Sequence, residues 1–153
     1  MKDTLVGRAI GILIADDSDA AAIKKIRQAA TDAGAGVKIV APKVGGAKLA
    51  DGSMLLADGQ LAGTPSVLFD AVAVILSDEG AKALLMEGAA IDFVRDAFAH
   101  LKAIAVDKGG RALLKIANVG QDAGVVNAND KDAFIAAAKT RQWAREKSVR
   151  TLA

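Results

Sequence analysis

Four nearly continuous apolar runs divide the chain and predict the strands of a buried sheet. They are residues 8–15, 37–41, 71–76 and 103–106. Because apolar side chains follow one another without alternation, both faces of each strand should be covered, as in a parallel sheet. Between the first two runs, Ile23, Ile26 and Ala30 recur at helical spacing. That helix should stop at Gly34, and the resulting strand, helix and strand predict a right-handed crossover.

Helical spacing returns after the third apolar run. The predicted inward face of one helix consists of Ile91, Val94, Phe98 and Leu101. A shorter helical piece should precede it at residues 81–87, and further helices are predicted at residues 111–117 and from residue 130 to about residue 147. Residues 119–126 should be irregular or form a short edge strand. This order predicts an α/β fold of the flavodoxin-like type, a three-layer α/β/α sandwich around a mainly parallel sheet.

Residues 42–66 interrupt the alternation of strands and helices with closely spaced Pro and Gly. Asp51-Gly52 favours a tight turn, so residues 48–51 and 54–57 should pair as a small β-hairpin insertion. A chain of 153 residues is short enough for one domain. We expect that domain to cover residues 8–147, after a lead-in at residues 1–7 and before a tail at residues 148–153.

Composition narrows the class of protein. Apolar residues make up 52% of the chain but aromatic residues only 3%, so the core should consist of small aliphatic side chains. A formal charge of +2 is too slight to indicate nucleic-acid binding. The absence of Cys excludes disulfides, thiolate metal sites and cysteine catalysis. Because no apolar run approaches about 20 residues and the first residues lack a signal peptide's apolar core, we expect a soluble cytoplasmic protein without a membrane partner.

An acidic turn follows the first predicted strand, where α/β proteins usually bind ligands. Asp16, Asp17 and Asp19 lie there, and their charges would repel a phosphate; no glycine-rich nucleotide motif occurs either. The interpretation we favour is helix capping, because carboxylates satisfy free N–H groups in a first turn. The alternative is a Mg²⁺ site, completed by Asp78 or Asp107 from neighbouring strand ends.

Asp107 occupies the sharpest predicted turn, between the fourth apolar run and a helix. Gly109 and Gly110 should permit a tight reversal there. A nucleophile-elbow enzyme would present Ser or Cys at this point with a base in reach. The residues present leave two hypotheses: a solvated turn, or an unusual catalytic pair of Asp107 with Lys108. The hydroxyl of Ser77, after the third run, is a second candidate catalytic group.

The single histidine and the basic C-terminal stretch are better candidates for structure and contact than for catalysis. His100 should lie at a helix C-terminus, where a cation suits the helix dipole. Without a second histidine or any Cys, we predict no metal site built on it. Arg141, Trp143 and Arg145 are the candidate partner contacts, because Trp and Arg dominate binding hot spots. We predict no catalytic, cofactor-binding or metal-binding residues beyond the alternatives above.

Several segments resemble, in the same order, the C-terminal domain of large-subunit haem catalases. They are residues 7–17, 37–42, 50–53, 63–74, 93–104, 123–126 and 141–143. The most specific segment is Gly63-Thr-Pro-Ser-Val-Leu-Phe-Asp-Ala-Val-Ala-Val74. That domain is similar in fold to PfpI-type proteases and class I glutamine-amidotransferase-like proteins, which carry a cysteine at the elbow. Here Asp107 stands in its place, and Ser77-Asp-Glu-Gly80 replaces the glycine pair expected after the third strand.

The resemblance implies a non-catalytic accessory domain that supports the folding, assembly and stability of a catalase, with chaperone-like action on unfolded clients as an extension. Haem and hydrogen peroxide chemistry would belong to the parent catalase core, so no cofactor is expected here. Expected partners are that core, client proteins or further copies of this chain. Two alternatives stay open: a PfpI-like hydrolase or deglycase relative with Asp107 in place of the elbow cysteine, and a Mg²⁺-dependent, receiver-like phospho-acceptor.

Overall fold

A six-stranded sheet forms the centre of the computed structural model, which describes residues 4–147 and 149. The strands are β1 (Ala9–Ile14), β2 (Gly36–Ala41), β3 (Ala47–Lys48), β4 (Met54–Leu55), β5 (Gly59–Gln60), β6 (Ala71–Ile75), β7 (Ala103–Val106) and β8 (Val125–Asn127). The main sheet has the order β5-β2-β1-β6-β7-β8, and each neighbouring pair in it is parallel. The predicted flavodoxin-like α/β fold is therefore confirmed.

Helices cover both faces of the sheet. They are α1 (Ala20–Asp32), α2 (Asp78–Leu84), α3 (Gly88–Ala99), α4 (Lys108–Ile116) and α5 (Lys131–Ala138). In β6, Val72 and Val74 belong to the apolar cluster shared with α2, α3 and α4. Ala71, Ala73 and Ile75 point the other way, into the cluster shared with α1 and α5. Because successive strand residues alternate between faces, one continuous apolar run builds both cores.

The insertion contains the predicted hairpin and one strand that the sequence did not reveal. β3 and β4 pair antiparallel in a separate two-stranded sheet, with Lys48 opposite Met54. Both strands are shorter than predicted, since a loop over residues 49–53 takes up part of the expected pairing. The missed strand β5 pairs with the end of β2 and extends the main sheet. Two residues carry too little periodicity to indicate a strand.

Three predicted helices have different bounds in the structure, and α2 differs at both ends, because it also stops at Leu84 rather than at residue 87. α2 begins at Asp78, earlier than predicted, because Ser77 caps it, and α4 begins at Lys108 rather than at residue 111. In place of one helix from residue 130 to about residue 147, α5 ends at Ala138 and helical backbone returns only at residues 146–147. In between, the chain leaves the helical path and forms a short 3₁₀ turn at Trp143–Arg145. The buried contacts of Arg145, described below, hold this segment in place.

The ends of the chain are only partly described. Residues 1–3 of the predicted lead-in and residues 148 and 150–153 of the predicted tail lie outside the described residues. Leu5, within that lead-in, is fully buried in the core beside α1, so packing begins before residue 8. Among the helices of the described residues, none combines the length and apolarity that a membrane crossing requires.

Candidate functional site

The strand order reverses between β1 and β6: the chain first adds β2 and β5 on one side of β1 and then β6, β7 and β8 on the other. In α/β proteins, ligands usually bind at the carboxyl ends of the strands at such a switch point. A cavity of about 270 Å³ lies there. Asp16 and Asp17 line it from the β1 side, with Pro42, Glu79 and Glu87 around them. Among the described residues that line this cavity, Asp107 and Ser77 do not occur. The structure thus separates the elbow residue from the nearest pocket.

The acidic turn after β1 serves as a brace. Asp19 caps α1, its Oδ1 accepting from the backbone N–H groups of Ala21 and Ala22 at 2.9 and 3.2 Å. Asp16 Oδ1 accepts from the N–H of Lys48 at 3.1 Å, and the Asp17 N–H donates to the Lys48 carbonyl at 2.8 Å. The favoured capping interpretation therefore holds for Asp19, while Asp16 and Asp17 fasten the hairpin to the sheet.

The Mg²⁺ hypothesis lacks its ligand set in the structure. Within residues 4–147 and 149, no three His, Asp or Glu side chains come together in a way that could hold a metal ion. The hydrogen bond from Lys48 occupies one oxygen of Asp16. Asp78 lies in an exposed ion pair with Lys108, whose Nζ is 3.8 Å from the carboxylate. The carboxylates at the strand ends are thus dispersed among backbone and side-chain partners.

Asp107 is a helix cap and not a nucleophile elbow. Its Oδ1 accepts from the Gly110 N–H at 2.8 Å, and both carboxylate oxygens lie 3.1 Å from the backbone nitrogen of Leu76, directly after β6. Its backbone has φ −94° and ψ −168°, an ordinary extended conformation. A nucleophile elbow instead holds its reactive residue in a strained turn, exposed above the sheet. The geometry therefore gives Asp107 a structural role, although as a partly buried helix cap and not as the solvated turn of the first hypothesis.

The glycines after Asp107 are needed for close packing and not for a reversal. Gly109 and Gly110 lie within the first turn of α4, and neither has a positive φ. A Cβ at Gly109 would come within 2.0 Å of the Leu76 carbonyl oxygen, and one at Gly110 within 2.3 Å of the Val74 carbonyl oxygen. The predicted reason for these glycines was therefore wrong. They let the start of α4 press against the carboxyl end of β6.

The pKa of Asp107 and the hydrogen bond of Ser77 also indicate structural roles for these side chains. Burial raises the pKa of Asp107, although the N–H groups of Gly110 and Leu76 oppose that rise. Ser77 is engaged as well: its Oγ accepts from the Gly80 N–H at 2.9 Å and caps α2. Asp107 and Ser77 are thus both engaged by backbone N–H groups.

The three candidate contact residues lie on the C-terminal segment, residues 139–145, and differ in their exposure. Arg141 and Trp143 are exposed, Trp143 by 55%. Arg145, predicted as a contact residue, is only 3% exposed. Its guanidinium lies 4.1 Å from the ring centroid of Phe98 and donates two hydrogen bonds to Asp122, at 2.7 and 2.9 Å. Arg145 therefore does not belong to an exposed contact surface, because it is buried within its own domain.

Arg145 fixes the corner between α3 and β7. Its Nη1 donates to the carbonyls of Phe98 and Lys102 at 3.2 and 2.8 Å. Burial alone would raise the pKa of its partner Asp122, but the hydrogen bonds and charge of Arg145 outweigh burial and hold that pKa below its usual range. The same corner contains His100, which follows the last residue of α3 as predicted. Its carbonyl accepts from Arg141 at 3.0 Å.

Comparison with known families identifies the domain. The model of the C-terminal domain found in long catalases matches residues 6–142. The chain belongs to this family. Catalase C of Rhizobium meliloti (strain 1021) is 37% identical over 150 residues, which cover 94% of this chain and 21% of that protein. The catalase C-terminal domain described here thus spans about a fifth of the length of this curated relative.

Solved structures with the same fold come from another group of proteins. Drosophila melanogaster DJ-1beta matches 94% of this chain and 96% of its own, with a TM-score of 0.73 at 15% identity. A ThiJ/PfpI domain protein from Brachyspira murdochii matches 88% and 95%, with a TM-score of 0.69 at 13% identity. At such identities the likeness concerns the fold alone. It confirms the predicted PfpI-like architecture for this catalase C-terminal domain.

The most specific segment of the catalase resemblance, residues 63–74, has a structural explanation. Phe69 packs over Gly11 of β1, where a Cβ would come within 2.5 Å of the Phe69 ring. Asp70 Oδ2 accepts from the Ala9 N–H at 2.8 Å and closes the start of β1. Sequence reasoning missed Lys102, whose ammonium donates to two carbonyls of this segment. A charged residue directly before an apolar run was the only available signal.

Proposed function

We propose that this catalase C-terminal domain is a non-catalytic accessory domain that docks on a haem catalase core and stabilises its folded, assembled state. Membership of the family and the share of a long catalase that the chain spans support this role. The observation that carries it is Asp107, whose carboxylate closes backbone N–H groups of α4 and β6. With the elbow committed to structure, contact is the function that the remaining surface favours.

Haem would be held by the catalase core and not by this domain. The chain has no Tyr and no Cys, and its single histidine, His100, is exposed at the end of α3. These residues do not fit an enclosed pocket with axial ligands, so no step of peroxide chemistry is assigned to them. Effects of the domain on a catalase would then arise from the stability and assembly of the core.

Trp143 is the contact residue that we propose for docking. Its side chain is 55% exposed, while the neighbouring Arg145 is buried and bonded to two other parts of the domain. An exposed tryptophan on a fixed segment loses little conformational entropy on binding. Trp side chains are also enriched among the residues that dominate binding energy. Arg141, two residues earlier in the chain, is exposed as well.

The test adds the isolated domain to a large-subunit catalase truncated before its C-terminal domain. We expect the domain to raise the temperature at which the core loses half its activity. Trp143→Ala should weaken binding by about thirtyfold, since loss of a hot-spot tryptophan costs at least about 2 kcal/mol. Ile116→Ala is the matched control, because Ile116 is an apolar side chain on α4 with a similar exposure of 48%.

Two results would contradict the proposal. One is a core whose inactivation temperature is unchanged by an excess of the domain. The other is equal binding by Trp143→Ala and Ile116→Ala. Equal protection of an unrelated heated protein would favour general chaperone action over specific docking, so that protein should be measured in parallel.

A further inference from the structure

A second cavity, of about 370 Å³, lies at the amino-terminal edge of the sheet, opposite the candidate site. Arg8, Asp70 and Lys102 line it, each one residue before β1, β6 or β7, and Arg141 borders it from the C-terminal segment. The parallel register aligns these strand starts side by side. Lys102 and Arg141 thus bring two cationic side chains to this amino-edge cavity, which Asp70 lines with a carboxylate.

Lys102 makes the amino-edge cavity unusual. The residue is only 6% exposed, and its Nζ donates to the carbonyls of Ser66 and Val67 at 3.2 and 3.0 Å. An ammonium group has three N–H donors, so these two carbonyls leave one of them over. Across residues 4–147 and 149, no carboxylate forms an ion pair with Lys102. Buried charges in proteins are normally paired, so an ammonium without a counterion beside a cavity requires an explanation.

The neighbouring charges increase the imbalance. Burial, together with the charge of Arg141, lowers the pKa of Lys102, and Asp70 offsets only part of this lowering. Asp70 is the sole carboxylate among the described residues of the wall, and its Oδ2 already accepts from the Ala9 N–H. Arg141 donates through Nη1 to the His100 carbonyl, and the rest of its donor fork is available to a ligand.

We propose that the amino-edge cavity binds a small oxyanion, a phosphate or carboxylate group, with Lys102 and Arg141 as its principal contacts. A guanidinium fork matches such groups bidentately, and the ammonium adds a point charge from the buried side. The volume lies within the range of about 300–1,000 Å³ that is typical of ligand pockets. Val67 and Leu68 line the same wall with 53% and 60% exposure, so an organic anion could rest its apolar part there.

The test titrates the full chain by calorimetry with inorganic phosphate and, separately, with succinate. Chloride at equal ionic strength controls for screening of surface charge. We expect saturable binding of at least one oxyanion at a stoichiometry of about one per chain, because each chain has one amino-edge cavity. Arg141→Met and Lys102→Met should each weaken this binding at least about tenfold, because each removes a charge-assisted hydrogen bond.

Lys108→Met is the matched control. It removes the same charge from an exposed lysine at the opposite edge of the sheet, and its affinity should equal that of the parent chain. Arg141 is exposed, so its variant should stay folded even if Lys102→Met does not, and circular dichroism checks both. Binding no stronger than that of chloride would overturn the proposal. So would equal affinities of Arg141→Met and Lys108→Met for the oxyanion that the parent chain binds.

Discussion

Replacing Arg145 with methionine tests whether the C-terminal segment is held by its buried guanidinium. Methionine keeps most of the length and apolar volume of arginine but removes its charge and donors. The variant loses the two hydrogen bonds to Asp122, those to the carbonyls of Phe98 and Lys102, and the stacking on Phe98. We expect a less stable domain with an unchanged fold of the central sheet.

The magnitude follows from what each partner can do without Arg145. The Lys102 carbonyl would lose its donor, and an orphaned buried acceptor costs about 1–3 kcal/mol. The Phe98 carbonyl keeps the Leu101 N–H at 3.1 Å, and the Asp122 side chain is 34% exposed, so both recover part of the loss. Loss of the cation–π contact adds about 0.5–2 kcal/mol. Together we expect about 3 kcal/mol, which lowers Tm by about 6–12 °C in a domain of this size.

The assay is urea unfolding followed by circular dichroism, with Arg141→Met as the matched control. Arg141 is exposed and donates one hydrogen bond, to the His100 carbonyl, among the described contacts. Its replacement should therefore cost less than about 1 kcal/mol. Equal losses in the two variants would refute the reasoning. A double-mutant cycle of Arg145→Met with Asp122→Ala should also show a coupling energy above about 0.5 kcal/mol. Additive losses would mean that the ion pair does not contribute to the stability lost in Arg145→Met.

Two further predictions concern the carboxyl edge. Gly109→Ala should lower the free energy of unfolding by at least about 1–3 kcal/mol through overpacking against the Leu76 carbonyl. Gly88→Ala, at the first position of α3 with open space around it, should be neutral or stabilising by about 0.5–1 kcal/mol, and an equal loss in both would contradict this account. Because burial raises the pKa of Asp107 above 3.8, the folded state holds this proton more tightly than the unfolded state does. Stability should therefore fall as pH rises from about 3.8 to the raised pKa and level off above it. Asp107→Asn keeps the Oδ1 acceptor without the charge, so its stability relative to the parent should increase from about pH 4 to pH 7 in urea unfolding; a relative stability that stays constant or decreases over this range would contradict the assignment.

The strands were predictable because burial on both faces demands continuous apolar runs. β1, β2, β6 and β7 each lie within a few residues of their predicted bounds, and β7 matches residues 103–106 fully. Their parallel order followed from the helices between them. The elbow residue and the acidic turn were also placed correctly at strand ends, since sequence order fixes which residues follow a strand. What those side chains bond to was not predictable in the same way.

Two of the failures, the end of the last helix and the reason for Gly109, share a physical cause, which is contact between parts of the chain distant in sequence. The helical spacing of Phe134 and Ala138 continues to Trp143, but the chain leaves the helix because Arg145 finds partners at Asp122 and Lys102. A local pattern cannot register a buried guanidinium that bonds across more than 20 residues. Gly109 was misinterpreted for the same reason, as the carbonyl it approaches belongs to Leu76.

The two edges of the sheet differ in how their polar groups are satisfied. At the carboxyl edge, the side-chain oxygens of Asp19, Ser77 and Asp107 accept hydrogen bonds from backbone N–H groups at helix N-termini. Few of these donors therefore remain for a ligand. At the amino edge, Lys102 remains a buried cation without an ion pair among the described residues. Arg145 bonds to the Lys102 carbonyl and lies on the segment that presents Trp143. One buried residue therefore lies between the proposed anion site and the proposed docking contact, so Arg145→Met should disturb both.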